Sequence, residues 1–214
     1  MDKAEAELTS RQEAVLEAVL DLMVEEGDQL TMTAVARRAS CSKESLYKWF
    51  GGREELLTAT VRWQAAKVRV APVDRASLDR ASLGASLQQF ASAWLSVIAT
   101  RTSIALNRVA VGQAASDASG LGAIVLENGR FEMGRRLKPV LEAGRDAGLL
   151  SFDDAEEAFR TFFGLVARDV QIRLLLGDRL ELAPALIARD AEQAARQFLA
   201  LFGASGERPK IRSV

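Results

Sequence analysis

The chain has 214 residues, 49% of them hydrophobic, with a formal net charge of −1 at pH 7, one cysteine and no histidine. It is long enough for one large domain or two small ones, and no run reaches the ~18 uninterrupted apolar residues of a membrane span, nor does its charged start resemble a signal peptide. The composition argues against an internal disulfide, a zinc site or a histidine-based triad, so we expect a cytoplasmic protein without metal or cofactor, in which only a local basic patch could bind nucleic acid.

The first predicted helix follows residues 1–9, a charged stretch. Ser10 and Glu13 have the spacing of a capping box, and Gly27 can end the helix. The apolar stripe between them consists of Val15, Leu16, Val19, Leu22 and Met23. We expect its carboxylates to face away from a phosphate backbone: Glu13, Glu17, Asp21, Glu25 and Glu26.

Residues 31–53 predict two short helices joined by a tight turn. Thr31 can cap the first helix and Ser42 the second, which runs from Lys43 to about Trp49 and ends at Gly51-Gly52. The first helix buries an apolar face made of Met32, Val35, Ala36 and Ala39. Ser40-Cys41-Ser42 is too short for anything but a turn. This arrangement predicts a three-helix core together with the first helix.

The second of these helices has a polar, basic outer face. Leu46 and Phe50 point inward, which leaves Lys43, Ser45, Tyr47 and Lys48 outward. Between Thr31 and Arg53 there are five basic residues and one acidic residue, a local charge of +4: Arg37, Arg38, Lys43, Lys48, Arg53 and Glu44. A basic, hydroxyl-bearing and aromatic helix behind a short turn is typical of helix-turn-helix domains that bind duplex DNA.

The pattern Thr-x-x-x-Val-Ala-x-x-Ala-x-x-Ser-x-x-x-Leu-Tyr-x-Trp-Phe-x-x-Arg-Glu-Glu-Leu-Leu, over residues 31–57, resembles the DNA-binding domain of the TetR (tetracycline-repressor-like) transcriptional regulators. The chain departs from it in two places. Ser40-Cys41 stand where the family usually has Gly-Val, which puts a β-carbon in the turn. Arg53 stands where the family usually has lysine and still supplies a cation.

The resemblance implies a set of DNA contacts. Thr31, Thr33, Tyr47, Lys48 and Arg53 match positions that usually touch phosphates, and Lys43, Glu44 and Ser45 would lie over base edges in the major groove. The alternative for Lys43, Lys48 and Arg53 is an ordinary solvated surface. Cys41 either packs in the turn or acts as a redox switch, and packing is the simpler interpretation.

The rest of the chain predicts a helical body. We divide the sequence into a DNA-binding domain (1–52), a connecting helix (53–71, from Arg53 to about Val70, ended by Pro72), a ligand-binding and dimerisation domain (72–204) and a tail (205–214). We expect residues 207–214 of this tail to be disordered. A tandem Asp-Arg-Ala-Ser-Leu at 74–83 indicates a duplicated loop or helix start. Further helices are expected at 83–99, 101–116, 121–147, 153–177 and 184–202.

Several residues mark the ends of these helices. Pro139 should kink or break its helix, Asp153 or Asp154 fits an N-cap, and Pro184 fits the first position of the last helix. Gly148 and Gly203 fit the position after a helix cap.

The body resembles the C-terminal domain of the AefR-like TetR subgroup. The similar segments are Asn107-Arg108-Val109, Ala147-Gly148-Leu149-Leu150 before Asp153-Asp154, and Ala195-Arg196-Gln197-Phe198-Leu199. The resemblance implies the same all-α architecture, with a helix-turn-helix domain followed by a helical bundle.

The two final long helices predict a homodimer. The 153–177 helix is apolar nearly all round, and such a helix needs cover on two sides. A two-fold four-helix interface would cover it, and the alternative is a monomer with an ordinary core. The predicted interface residues are Phe159, Val166, Val170, Leu174, Ile187, Ala191, Ala195, Phe198 and Phe202.

A ligand pocket is also predicted in the body. An aromatic-lined cavity with a few polar groups suits a small apolar effector, although plain core packing is the alternative for each aromatic. Arg108 and Arg168, if buried, need an acceptor, which Glu142 or an acidic ligand could supply. The candidate lining residues are Phe90, Trp94, Asn107, Arg108, Phe131, Phe162, Phe163, Arg168 and Gln171.

The leading hypothesis is a dimeric transcriptional regulator that binds a palindromic DNA operator, a repressor relieved by a small-molecule effector. The alternative is a helical ligand-binding or scaffolding dimer without operator binding. No set of nucleophile and base is visible, and the adjacent Asp153-Asp154 is better explained as a helix cap, so we do not expect an enzyme.

Overall fold

The computed structural model describes residues 8–27, 30–70, 72–115 and 120–204. In this part of the chain the regular structure is helical, with one isolated bridge between Leu150 and Gly203, which confirms the predicted all-α class. The elements are α1 Ser10–Glu26, α2 Met32–Arg38, α3 Lys43–Phe50, α4 Arg53–Ala65, α5 Arg80–Ile98, α6 Arg101–Gln113, α7 Leu121–Val125, a π-helical segment Leu126–Phe131, α8 Glu132–Asp146, α9 Ala155–Ala167, α10 Val170–Leu175 and α11 Pro184–Phe202. The predicted tail, 205–214, lies outside the described residues.

The described residues form two compact units. Unit 1 takes those within Met1–Val68, Val97–Met133 and Gln171–Leu180, and unit 2 takes those within Arg69–Ser96, Gly134–Val170 and Glu181–Val214. Each unit therefore combines segments that are not consecutive in the sequence, whereas each predicted domain is one consecutive stretch of the chain. The functional boundaries at 52 and 72 stay a prediction.

The start of α1 lies one residue earlier than predicted. The Thr9 hydroxyl accepts the Gln12 N–H at 3.3 Å, and the Gln12 side chain accepts the Thr9 N–H at 2.9 Å. This is a complete capping box, so the assignment to Ser10 and Glu13 was wrong; glutamine accepts here as glutamate would. Gly27 ends the helix with φ 65° as predicted.

The core of unit 1 is formed by α1 together with α2, α3, α4 and parts of α6 and α7. Fully buried apolar side chains fill it, among them Val15, Leu16, Val35, Leu46 and Leu57. The connecting helix α4 ends at Ala65, earlier than the predicted Val70. The N–H groups of Lys67 and Val68 bond carbonyls three residues back, so the helix closes in a tight turn before Pro72 is reached.

The predicted 121–147 helix contains an irregular segment. Pro139 lies inside α8, which continues on both sides of it, so the chain does not break there. The departure from α geometry is the π-helical segment Leu126–Phe131. Its buried Asn128 accepts from the Arg62 Nε at 2.8 Å and donates to the Ile124 carbonyl at 3.0 Å, which ties the segment to α4 within unit 1.

The predicted 153–177 helix is two helices. Arg168 has φ 43° and caps α9, its N–H donating to the Gly164 carbonyl at 3.0 Å, and α10 begins at Val170. Asp154 is the N-cap of α9, and Pro184 occupies the first turn of α11, both as predicted.

Other predicted signals in unit 2 gave mixed outcomes. Gly148 has φ 71°, as the position after the cap of α8 requires. Gly203 is itself the cap of α11, at φ −63°, so its predicted role was wrong. In the tandem repeat, Asp74 organises a turn while Asp79 accepts from the Ser82 N–H at 2.7 Å just before α5. The two copies are thus a loop and a helix start.

Candidate nucleic-acid interface

Local hydrogen bonds fix α3 at both ends. The Ser42 hydroxyl accepts the Ser45 N–H at 3.1 Å, and Gly51 closes the helix at φ 97°. Between them Leu46 is fully buried in the core of unit 1. Because one face is anchored in this way, the opposite face of α3 is presented to solvent.

The exposed face of α3 carries the side chains predicted to read DNA. Tyr47 is 53% exposed, Lys43, Glu44 and Lys48 are exposed, and Ser45 is half-buried with its hydroxyl 3.0 Å from that of Ser42. Lysine suits guanine acceptors and glutamate suits the cytosine amino group. The first turn of α3 thus presents to solvent groups of the kind that pair with base edges, and Tyr47 and Lys48 present a hydroxyl and a cation of the kind that bind phosphates.

The remaining predicted phosphate contacts lie at other helix starts of unit 1. The Thr31 hydroxyl accepts the Ala34 N–H at 3.1 Å and so caps α2, and Thr33 is exposed in the first turn of α2. Arg53 is half-buried and its Nε donates to the Leu30 carbonyl at 3.5 Å. Part of the donor capacity of Arg53 is thus directed into the protein.

The local positive charge is smaller than the sequence count of +4. Arg38 donates to both carboxylate oxygens of Glu25, with Nη1 3.0 Å from Oε1. The hydrogen bond from Arg38 lowers the pKa of Glu25, and Glu25 in turn raises the pKa of Arg38. Glu25 therefore offsets one of the five cations.

The turn before α3 contains Ser40-Cys41, the residues at which the sequence departs from the Gly-Val of the family pattern. Ser40 has φ 51°, a left-handed conformation that favours glycine. Cys41 is half-buried and packs against the core of unit 1, as expected for a packing residue. Arg11, which sequence reasoning missed, donates to the Ser40 carbonyl; no motif links an arginine on α1 to a turn 29 residues away.

Comparisons with known proteins agree with this geometry. Residues 15–60 match the model for bacterial regulatory proteins of the tetR family, and residues 85–204 match that for the AefR-like transcriptional repressor C-terminal domain. A TetR transcriptional regulator from Agrobacterium tumefaciens is 45% identical, with a TM-score of 0.79 over 92% of this chain and 97% of that one. The chain belongs to the TetR family of transcriptional regulators.

Other solved structures are similar to this TetR family member. The flavonoid-responsive regulator FrrA is 27% identical, with a TM-score of 0.67 over 90% of this chain and 97% of that one. A TetR family transcriptional regulator from Pseudomonas syringae shares the fold at 18% identity, with a TM-score of 0.65 over 94% and 100% of the two chains. A comparison with curated proteins found no match. TetR family regulators bind DNA through the helix-turn-helix and have a ligand-binding C-terminal domain.

The residues predicted to form the dimer interface of this TetR regulator are mostly covered by the chain itself. The helices α9 and α11 pack against each other. As a result most of the predicted residues are buried within one chain, and only Val170 and Phe202 are half-exposed: Phe159, Val166, Leu174, Ile187, Ala191, Ala195 and Phe198 are buried. The apolar side chains between α9 and α11 therefore pack within the single chain, and the assignment of a dimer interface stays a prediction.

The residues predicted to line a pocket divide between the two units. Phe90, Trp94 and Phe162 are buried in unit 2, where the centroids of the half-buried Phe163 and Trp94 rings lie 4.5 Å apart. Arg168 also belongs to unit 2, and the others belong to unit 1: Asn107, Arg108, Phe131 and Gln171.

Arg108 and Arg168, the two arginines among the predicted pocket residues, are exposed rather than buried. Arg108 is exposed and donates to the Leu174 and Leu175 carbonyls at 2.8 and 3.0 Å, and Arg168 is exposed and donates to the Leu165 carbonyl at 3.3 Å. Their acceptors are backbone carbonyls near helix ends rather than Glu142, which corrects the expectation of a buried arginine that needs an acidic partner. Phe131 is 47% exposed and Asn107 donates to the Ser103 carbonyl.

Two features are absent from the part of the chain that the structure describes. There, no group of three or more potential ligands could hold a metal ion. Nor is any of these helices both long enough and apolar enough to cross a bilayer.

Proposed function

We propose that this TetR regulator binds a palindromic operator as a homodimer, inserts α3 into the major groove of each half-site, and is released by a small apolar effector. The proposal that the protein binds DNA rests on the exposed face of α3. Its Lys43, Glu44 and Ser45 supply groups for base edges, while Thr31, Thr33, Tyr47, Lys48 and Arg53 supply hydroxyls and cations for phosphates. Such a function places the protein in the compartment that holds the DNA.

Two-fold symmetry follows from the chemistry of recognition. A single DNA-binding domain binds weakly, whereas a dimer reads two half-sites and gains effective concentration from the second contact. We assign the interface to the outer faces of α9 and α11, which carry exposed residues such as Arg160, Gly164 and Ala188. The side chains between the two helices are already buried within the chain.

The aromatic cluster of unit 2 supports an apolar, planar effector. Trp94 lies next to Phe159 and Phe163, with ring centroids 6.3 and 4.5 Å away and interplanar angles of 8° and 54°, and a planar ligand could make a further ring contact in this cluster. The similar regulator FrrA is flavonoid-responsive by name, which suggests a polyphenol as a first probe. An effector of this kind acts by favouring a dimer geometry in which the spacing of the two DNA-binding domains no longer matches the half-site spacing.

The decisive experiment selects bound fragments from random duplex DNA and measures gel shifts on the selected duplex. We expect an enriched palindrome, to which Lys48→Ala binds more weakly at every sequence and with a salt slope smaller by roughly 1. Lys43→Ala should instead broaden the selected consensus. Arg75→Ala, which removes an exposed cation from unit 2, is the matched control and should behave like wild type.

Two outcomes decide against parts of this proposal. If no duplex is enriched, the protein is a ligand-binding or scaffolding dimer that does not bind an operator. If a flavonoid neither releases the selected duplex nor quenches the fluorescence of Trp94 in a Trp49→Phe/Trp63→Phe background, the cluster serves as a packed core only.

A further inference from the structure

The turn between α2 and α3 is a helix ending in which serine occupies the glycine position. The Cys41 N–H donates to the Ala36 carbonyl at 2.9 Å, and the Ser40 N–H donates to the Arg37 carbonyl at 3.3 Å. This pair of bonds is the Schellman ending, which places the residue after the cap in the left-handed region. Ser40 is that residue, with φ 51°. Its β-carbon makes this conformation less favourable than it would be for glycine.

Arg11 supports this turn from the first turn of α1. Its Nη2 donates to the Ser40 carbonyl at 2.5 Å. The start of α1 is itself fixed by the capping box of Thr9 and Gln12, so the arginine extends from a well-anchored base. A hydrogen bond from a charged donor is roughly twice as strong as one between neutral groups. The bond therefore constrains the peptide plane that joins Ser40 to Cys41.

That peptide leads directly into α3. Ser42, the N-cap of α3, is two residues beyond Ser40, and no other segment separates the turn from Lys43 and Glu44. A rotation of the Ser40–Cys41 peptide would change the direction in which α3 leaves the turn. The position of the first turn of α3 over the bases thus depends on the conformation of Ser40.

We infer that Arg11 is a positioning residue for operator recognition, which holds the Ser40 turn so that Lys43, Glu44 and Ser45 meet the bases in register. The inference rests on the proposed docking of α3. The competing role for an exposed cation in this unit is a direct phosphate contact. The two roles differ in their signatures: a phosphate contact contributes to binding on any sequence and to the salt slope, whereas positioning affects the discrimination between sequences.

The test compares Arg11→Ala, Arg11→Gln and Ser40→Gly, singly and combined, in gel shifts on the selected duplex and on a random duplex across a salt series. Arg11→Ala should bind the selected duplex roughly 5- to 10-fold more weakly, a loss at the lower end of that for one base contact. Its affinity for the random duplex and its salt slope should stay at wild-type values. Arg11→Gln, which is neutral but keeps an N–H donor, should retain most of the specific affinity.

The second arm uses Ser40→Gly as a rescue. Glycine adopts the left-handed conformation without the arginine, so Arg11→Ala should cost clearly less in the Ser40→Gly background than alone. Thermal melts of each variant show that all are folded at the assay temperature.

Either of two results overturns the inference: an Arg11→Ala salt slope lower by roughly 1 with equal losses on both duplexes, or the same loss in both backgrounds. If α3 does not dock on DNA at all, wild type selects no duplex and Lys48→Ala leaves the affinity and the salt slope unchanged. This failure is therefore distinguished from failure of the role of Arg11.

Discussion

Arg38 and Glu25 form a two-pronged ion pair that joins the last residue of α2 to the last turn of α1. The pair uses both guanidinium Nη atoms and both carboxylate oxygens, a geometry in which arginine is more effective than lysine. The pair ties α2, which precedes the Ser40 turn, to α1, which carries Arg11. Two arginines thus hold the helix-turn-helix against α1, one at the end of α2 and one at the turn.

The first prediction concerns pH. Arg38 lowers the pKa of Glu25 from its ordinary 4.5, so the folded state binds the Glu25 proton less readily than the unfolded state. Stability from the pair is therefore present above pH 4.5 and is lost as the pH falls through the lower folded value. Wild type should melt at a higher temperature than Glu25→Gln at pH 7, and the gap should close as the pH falls well below 4.5.

The matched control for this series is Glu181→Gln, which removes an exposed carboxylate outside the helices. Its melting temperature should follow that of wild type throughout. A Glu25→Gln gap that persists unchanged to the lowest pH at which the protein remains folded would show that the pair contributes through packing rather than charge.

The helices of the DNA-binding domain could be predicted from the sequence because the signals that begin and end them are local. Thr31 and Ser42 each cap a helix by accepting from an N–H three residues ahead, and such a bond can be inferred from residue type and spacing alone. The same locality explains the error at α1, where Thr9-x-x-Gln12 and Ser10-x-x-Glu13 offer the same chemistry one residue apart. Arg11 and Arg38 were missed because their partners lie 29 and 13 residues away.

The body shows what periodicity cannot specify. An apolar stripe indicates that a face is buried, but not which surface buries it. On α9 and α11 the stripes cover each other within one chain, and residues such as Phe159 and Phe198 are fully buried there. The break at Arg168 had no sequence signal either, because arginine at a positive φ is held by its surroundings rather than by its own preference.

The second prediction concerns close packing in unit 2. A β-carbon on Gly134 of α8 would lie 3.0 Å from the Phe159 Cε1, and the Phe159 ring is fully buried, so it has little room to move. We expect Gly134→Ala to destabilise the protein by about 1 kcal/mol, because overpacking of ~1–3 kcal/mol outweighs the better helix propensity of alanine. Chemical denaturation measures this change.

Gly112 of α6 provides the opposite case. It is exposed, and a β-carbon there would meet nothing within 4 Å, so Gly112→Ala should stabilise by up to about 1 kcal/mol through helix propensity alone. If both alanine variants stabilise the protein equally, the Phe159 ring has moved aside and the contact carries no packing constraint.

The third prediction concerns the proposed dimer. Gly164 lies on the exposed side of α9, and a β-carbon there would meet nothing within 4 Å, so we expect an arginine at this position to extend into solvent in the single chain. In a two-fold interface the same arginine would face its own copy or the partner's α11, where the small residue is replaced by a long charged one. Gly164→Arg should therefore shift the sedimentation equilibrium from dimer to monomer and weaken binding to the selected duplex.

Gly112→Arg adds the same charge to another exposed helical glycine, and it should leave both the dimer and operator binding unchanged. The comparison isolates position from charge, because each variant gains one cation on an open helix surface. A Gly164→Arg protein that remains dimeric at micromolar concentration would exclude the outer face of α9 from the interface. In that case the operator affinity of this variant should also stay at the wild-type value, because recognition of two half-sites depends on the dimer.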